Sequence, residues 1–113
     1  MSTLYKSVAF NLATTNVTTL YTCPIETETL IKTIQVTNYA ASGNVDLVIF
    51  INKSGTDYDI AHHTLSSKDS INVLDGVLVA EAGDVIKIQA SASNFVSGAM
   101  SFVEVRSDTK NPI

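Results

Sequence analysis

The sequence has no tryptophan, one cysteine, two prolines and five glycines among 113 residues. A single cysteine, Cys23, excludes an intramolecular disulfide, so the chain is expected to be held by its core alone. Sparse glycine and proline exclude a collagenous or low-complexity chain. Charged residues make up 16% of the sequence, well under the globular average of about 25%. The seven bases, Lys6, Lys32, Lys53, Lys68, Lys87, Arg106 and Lys110, are scattered, and the net charge is −4. Nucleic-acid binding needs a clustered basic footprint, and no such cluster exists here. The same scatter argues against an anionic membrane surface, and no stretch approaches the roughly 18 apolar residues of a membrane span. No secretory signal is read at the amino terminus, so assembly in a reducing cytoplasm is expected.

What is present is β-forming. Hydrophobic residues reach 45% and mean hydropathy is +0.22, which excludes a disordered chain. Threonine and serine number 13 and 12, and Val and Ile number 12 and 10 against 8 Leu. Val, Ile and Thr are stiff at χ1 and fit a pleated strand better than a helix. The length suits one domain, spanning residues 1–113.

Alternation confirms the class. Residues 45–52 place Val45, Leu47, Ile49 and Ile51 on one face, the period of a strand covering a core. Residues 29–38 put Leu30, Ile34 and Val36 inward. Lys32 shares that parity, which places it at a strand end or beside a bulge. The polar loop at 39–44 is expected to join these two strands as an antiparallel pair. Further strands are read at 4–12, 17–22, 58–65, 70–74, 77–79, 85–92 and 99–106. In the last, either Met100 and Phe102 or Val103 and Val105 face the core. Residues 93–98 read as a loop, and 107–113 as a flexible C-terminal tail. The expectation is an all-β fold, a single two-layer antiparallel β-sandwich of about eight strands, in jelly-roll or immunoglobulin-like order.

Few residues carry chemistry. His62 and His63 are adjacent, so on a strand they point to opposite faces and cannot share a metal. Asp57, Asp59 and Asp69 fall short of the roughly six oxygen ligands that calcium takes. Cys23 has no base beside it in sequence, and reads as a small buried hydrophobe at a strand end. Glu26 and Glu28 show no sign of an acid/base pair. There is no Gly-x-Ser-x-Gly elbow and no phosphate-cradling glycine loop. Tyr39, in a loop, is the best candidate for stacking on a sugar, though a half-buried structural tyrosine is the commoner arrangement. No catalytic residue, cofactor site, metal site or small-molecule substrate is expected.

One run is Leu20-Tyr21-Thr22-Cys23-Pro24 followed by residues 30–38. Another runs from Leu74-Asp75-Gly76 through the turn Glu81-Ala82-Gly83-Asp84 into residues 85–90. Together they resemble small tailed-phage virion structural proteins, and the likeness covers about residues 17–105. It departs at Pro24-Ile25-Glu26, where a Pro-x-Gly turn is usual, and at Cys23, where a small aliphatic residue is commoner. The resemblance implies a non-enzymatic virion component assembled in the host cytoplasm. Its first form is a capsid decoration or cement protein, a homo-oligomer contacting the major capsid protein or other virion proteins. A neck, tail or fibre component comes second, and a carbohydrate-binding sandwich for host adhesion third.

Overall fold

The computed structural model describes residues 2–106. Those residues form nine strands: β1 (Ser2–Leu12), β2 (Thr18–Thr22), β3 (Thr27–Asn38), β4 (Val45–Lys53), β5 (Thr56–Leu65), β6 (Ser70–Asn72), β7 (Leu78–Ala80), β8 (Val85–Ala90) and β9 (Val96–Arg106). The expected tail at 107–113 lies outside the described residues. The strands make two antiparallel sheets, a β-sandwich. One runs β1-β9-β3-β6, with β7 also on β3; the other runs β2-β8-β4-β5. Since β6 and β7 share one side of β3, there are eight strand positions. From β1 to β4 the chain crosses between sheets at every connection. That wrapping is the jelly roll, one of the two orders that periodicity leaves open.

The core lies between the sheets. Val45, Leu47, Ile49 and Ile51 are all buried, as the alternation of β4 requires. They face Ile31, Ile34 and Val36 of β3, Met100 and Phe102 of β9, and share their own sheet's inner surface with Ile86 and Ile88 of β8. Each fully buried side chain of this size stabilises the fold by about 1.5–3 kcal/mol.

Three expectations are corrected. β3 and β4 do not pair; they lie in different sheets, and β4 runs between β5 and β8. The 39–44 loop is a crossing between layers, pinned by Asn38, whose buried amide donates to Gly43 O at 3.0 Å and Leu65 O at 3.1 Å. Leu30 faces outward, because the register of β3 on β9 shifts between Ile31 and Thr33. Lys32 is the extra, exposed residue of that bulge. Inward positions are therefore Thr27, Thr29 and Ile31 before it, and Ile34, Val36 and Asn38 after it. Finally, residues 96–98 are strand rather than loop. The length of β3 supplies a partner up to Asn38↔Val96, and Gly98 permits a close approach of backbones.

Two turns explain features of the sequence. In the 81–84 turn, Asp84 N donates to Glu81 O, and the nearly buried Asp84 carboxylate accepts from Glu81 N and Lys53 Nζ. Gly83 takes φ +89°, a left-handed conformation that glycine adopts without strain. At Pro24-Ile25-Glu26, Glu26 adopts φ +55°, so the turn keeps a left-handed residue where glycine is usual.

Candidate functional site

The main buried polar cluster lies at one end of the sandwich, around Glu104, which belongs to no sequence motif. Glu104 is 1% exposed and shares the inner face of β9 with Met100 and Phe102. Its Oε2 accepts from Tyr21 Oη at 2.5 Å. Its Oε1 lies 3.2 Å from Lys6 Nζ and 3.1 Å from Arg106 Nη2. With its proton committed to Glu104, the Tyr21 oxygen accepts from Thr29 Oγ1 at 2.8 Å. Thr29 in turn lies 3.3 Å from Cys23 Sγ, which has Thr27 O at 3.4 Å and Ala80 O at 3.6 Å as further partners. The Tyr21 ring stands against Phe102 at 4.4 Å between centroids.

The electrostatics fix the protonation states. Burial drives the Tyr21 phenol far above its usual range, and the Glu104 carboxylate adds to the shift. Burial likewise pushes the Cys23 thiol up, against the lowering effect of its Thr29 hydrogen bond. For Glu104, burial favours the neutral acid, but the bonds from Tyr21, Lys6 and Arg106 outweigh it and hold the carboxyl below its ordinary range. The result is one carboxylate facing two cations, a neutral phenol and a neutral thiol. Such a group clamps strands together; its thiol is held in the form that does not attack.

The residues considered from sequence are dispersed. His62 faces outward, opposite Val48, and His63 inward, opposite Leu47; His62 Nε2 lies 2.9 Å from Asp59 Oδ2. Asp57 accepts from Asn52 Nδ2 at 2.6 Å and pairs with Lys87 at 3.1 Å, which together hold its carboxyl low. Asp57 and Asp59 lie near the start of β5, whereas Asp69 follows its far end. Among the described residues no three His, Cys, Asp or Glu side chains are grouped to hold a metal ion. Glu26 and Glu28 line an open cleft of about 390 Å³ with Glu81 and Arg106. Tyr39 is half-buried, and its hydroxyl donates to Asn11 Oδ1 at 3.0 Å.

The outer faces of the two sheets differ. On the five-stranded sheet, the register aligns Tyr5, Val103, Leu30 and Val79 in one row across β1, β9, β3 and β7. Tyr5 is 83% exposed and Val79 49%. Flanking rows hold Thr3, Val105 and Glu28 on one side, and Ser7, Ser101 and Thr33 on the other. In those three rows Glu28 is the only charged side chain, with Lys32 of the bulge beside them. On the four-stranded sheet, the outer positions of β4, β5 and β8 include Asp46, Asp57, Asp59, His62 and Lys87.

No protein-family model matches the chain, and no curated protein does. Among solved structures it is similar to a protein of Bacillus endospore appendages, described as a novel family of disulfide-linked pili. The identity is 12%, covering 93% of this chain and 88% of that one, with a TM-score of 0.57. It is also similar to Eiger TNF from S. frugiperda, at 9% identity, covering 96% of this chain and 97% of that one, with a TM-score of 0.47. The first likeness shows a shared fold.

Proposed function

We propose that the chain is a structural subunit of a virion, working through its surfaces, and that it decorates or cements the head against the major capsid protein. The observation that carries this reading is the contrast between the two outer faces. An acidic chain has kept the rows around Tyr5, Val103, Leu30 and Val79 almost free of charge. Such an uncharged face with an apolar row is what a protein–protein contact needs, since interface cores are depleted of charge. The jelly roll recurs in viral capsid domains, although it also serves lectins and other proteins. The sequence likeness to tailed-phage virion proteins supports the same assignment. Weak contacts suffice on a shell, where many copies bind at once.

Copy number tests the reading. Quantitative mass spectrometry of purified particles should find hundreds of copies per head. Particles assembled without the protein should lose tolerance to heat and osmotic shock. Six or twelve copies would move the protein to the neck or tail, and unchanged particle stability would remove the cementing role.

A second reading, a subunit of a surface filament, is favoured by the fold shared with the endospore pilus protein. A covalent link of the kind named for those pili does not transfer. Cys23 is the one cysteine and is 2% exposed, and one thiol per chain joins at most two chains.

A further inference from the structure

Among the described strands, the sheet edges are unequal. The register of β5 on β4 shifts between Ile49 and Phe50 of β4, which leaves Ile60 of β5 unpaired, with Asp57 and Asp59 beside it. β2 is five residues long, with its own shift between Thr19 and Tyr21 and Pro24 just beyond it. β6 and β7 have three residues each. Bulges, charge, proline and shortness are the means by which proteins protect open edges. β1 has no bulge and no proline, is not short, and carries a single charge. It is eleven residues long, its register on β9 is unbroken from Ser2↔Arg106 to Leu12↔Val96, and β9 is its one paired neighbour. Its one charge, Lys6, is engaged by Glu104. Residues 2–7 are exposed, including Leu4 on the inner face, so this half of β1 extends beyond the cover of the second sheet.

We propose that β1 pairs antiparallel with β1 of a second copy of this chain, about a two-fold axis passing through Tyr5. The inference deepens the structural-subunit reading by naming the partner and the edge. Charge selects a second copy. The chain is net acidic, yet β1 contains no carboxylate, so two copies meet here without opposing acids. Centring on Tyr5 sets Lys6 against Leu4 of the other copy, Thr3 against Ser7, and Ser2 against Val8. An axis through Lys6 would oppose two ammonium groups, which is unfavourable across a strand pair. Centring on Tyr5 also confines pairing to residues 2–8, clear of the point near Leu12 where the chain turns toward the second sheet. Because the axis is perpendicular to the sheet, outer face joins outer face. The row Val79-Leu30-Val103-Tyr5 then continues into Tyr5-Val103-Leu30-Val79 of the second copy, an isologous contact by β-augmentation. The most exposed tyrosine, Tyr5, is covered by its own counterpart.

Crosslinking reads the register. Directly opposed residues of antiparallel strands have Cα atoms about 4.5–5.5 Å apart, within disulfide range. Tyr5→Cys should therefore form a disulfide-linked dimer under mild oxidation. Ser7→Cys should not, since the two Ser7 positions would stand four residues apart, about 13 Å. Buried Cys23 serves as the silent control in the wild-type chain. Wild-type protein should sediment as a dimer, and Tyr5→Glu, which opposes two carboxylates at the axis, should weaken it at least ~10-fold. Tyr5 is largely exposed, so neither change threatens the fold. A wild-type chain that stays monomeric up to about 1 mM, or one that crosslinks through Ser7→Cys and not Tyr5→Cys, overturns the proposal. Particles rich in a protein that is monomeric in solution would overturn the dimer and leave the virion role standing. A Tyr5-crosslinked dimer found in no particle would do the reverse.

Discussion

Tyr21 on β2 and Glu104 on β9 meet through a 2.5 Å hydrogen bond that crosses from one sheet to the other. It ties the two layers at the end where β1 extends past the second sheet. The same carboxylate engages Lys6 of β1 and Arg106 of β9, so one buried acid joins three strands. Hydrogen bonds to charged groups contribute about 1.5–3 kcal/mol. Tyr21→Phe and Glu104→Gln should each lower unfolding stability by about 2 kcal/mol in urea titrations. Their double-mutant cycle should show a coupling of about 1 kcal/mol. Additive losses would show that the two groups act separately.

Acidification should weaken the protein through the same carboxylate. Glu104 has a lower pKa folded than its ordinary value of 4.5. The unfolded chain therefore takes up protons first. The stabilisation is present above the unfolded value and lost as pH falls through the folded one. Thermal melts between pH 6 and pH 3, a window of about three units around the carboxylate range, should show a falling midpoint. In Glu104→Gln that slope should be shallower. At the alkaline end Tyr21, whose phenol is raised by burial, contributes stability below the unfolded value near 10. That stability declines as pH rises beyond it, and Tyr21→Phe should remove this part of the alkaline loss.

Gly98→Ala should be among the most damaging single changes. A methyl group there would lie 2.2 Å from Gln35 O and 2.7 Å from the Phe10 ring. The ring can turn, but the β3 carbonyl belongs to the ladder. A loss of about 2–4 kcal/mol is expected, the scale of overpacking against backbone, measured by chemical denaturation. A loss below about 0.5 kcal/mol would show that β3 and β9 separate readily at this point.

The thiol of Cys23 reports on unfolding. It is buried, held protonated, and surrounded by Thr29, Thr27 O and Ala80 O. A thiol reagent such as Ellman's should react with the native protein only as fast as the chain opens. It should react at once in denaturant, with one thiol per chain.

The sandwich itself was legible because β4 alternates without interruption, and Val45, Leu47, Ile49 and Ile51 face the core as that pattern demands. The expected pairing of β3 with β4 does not occur, because six residues, 39–44, suit a crossing between layers as well as a hairpin. Two strands with apolar inner faces can lie side by side or face to face, and periodicity is blind to the difference. Lys32 was legible as a disturbance, yet its consequence for Leu30 and Ile31 depends on where β9 absorbs the shift. Glu104 stayed hidden because an acid on a strand ordinarily faces water. Its clue was two cations, Lys6 and Arg106, falling on the inward parity of their own strands. They could be connected to Glu104 only once β1 was known to lie beside β9. The outer row from Tyr5 to Val79 likewise draws on four strands distant in sequence.

The break between β6 and β7 gives the molecule a place to carry cargo. Residues 73–77 span the stretch of β3 beside its bulge, where Val73 N donates to Ile34 O and Asn72 Oδ1 accepts from Ile34 N. Asp75, Gly76 and Val77 beyond them are exposed, with Gly76 at φ +118°. This loop sits on the edge of its sheet opposite β1. An epitope tag or fluorophore-binding peptide inserted between Asp75 and Gly76 would leave the ladder hydrogen bonds intact, as exposed loop tips allow. It would also project away from the Tyr5 edge, so a labelled chain could be counted in an assembly without being kept out of it.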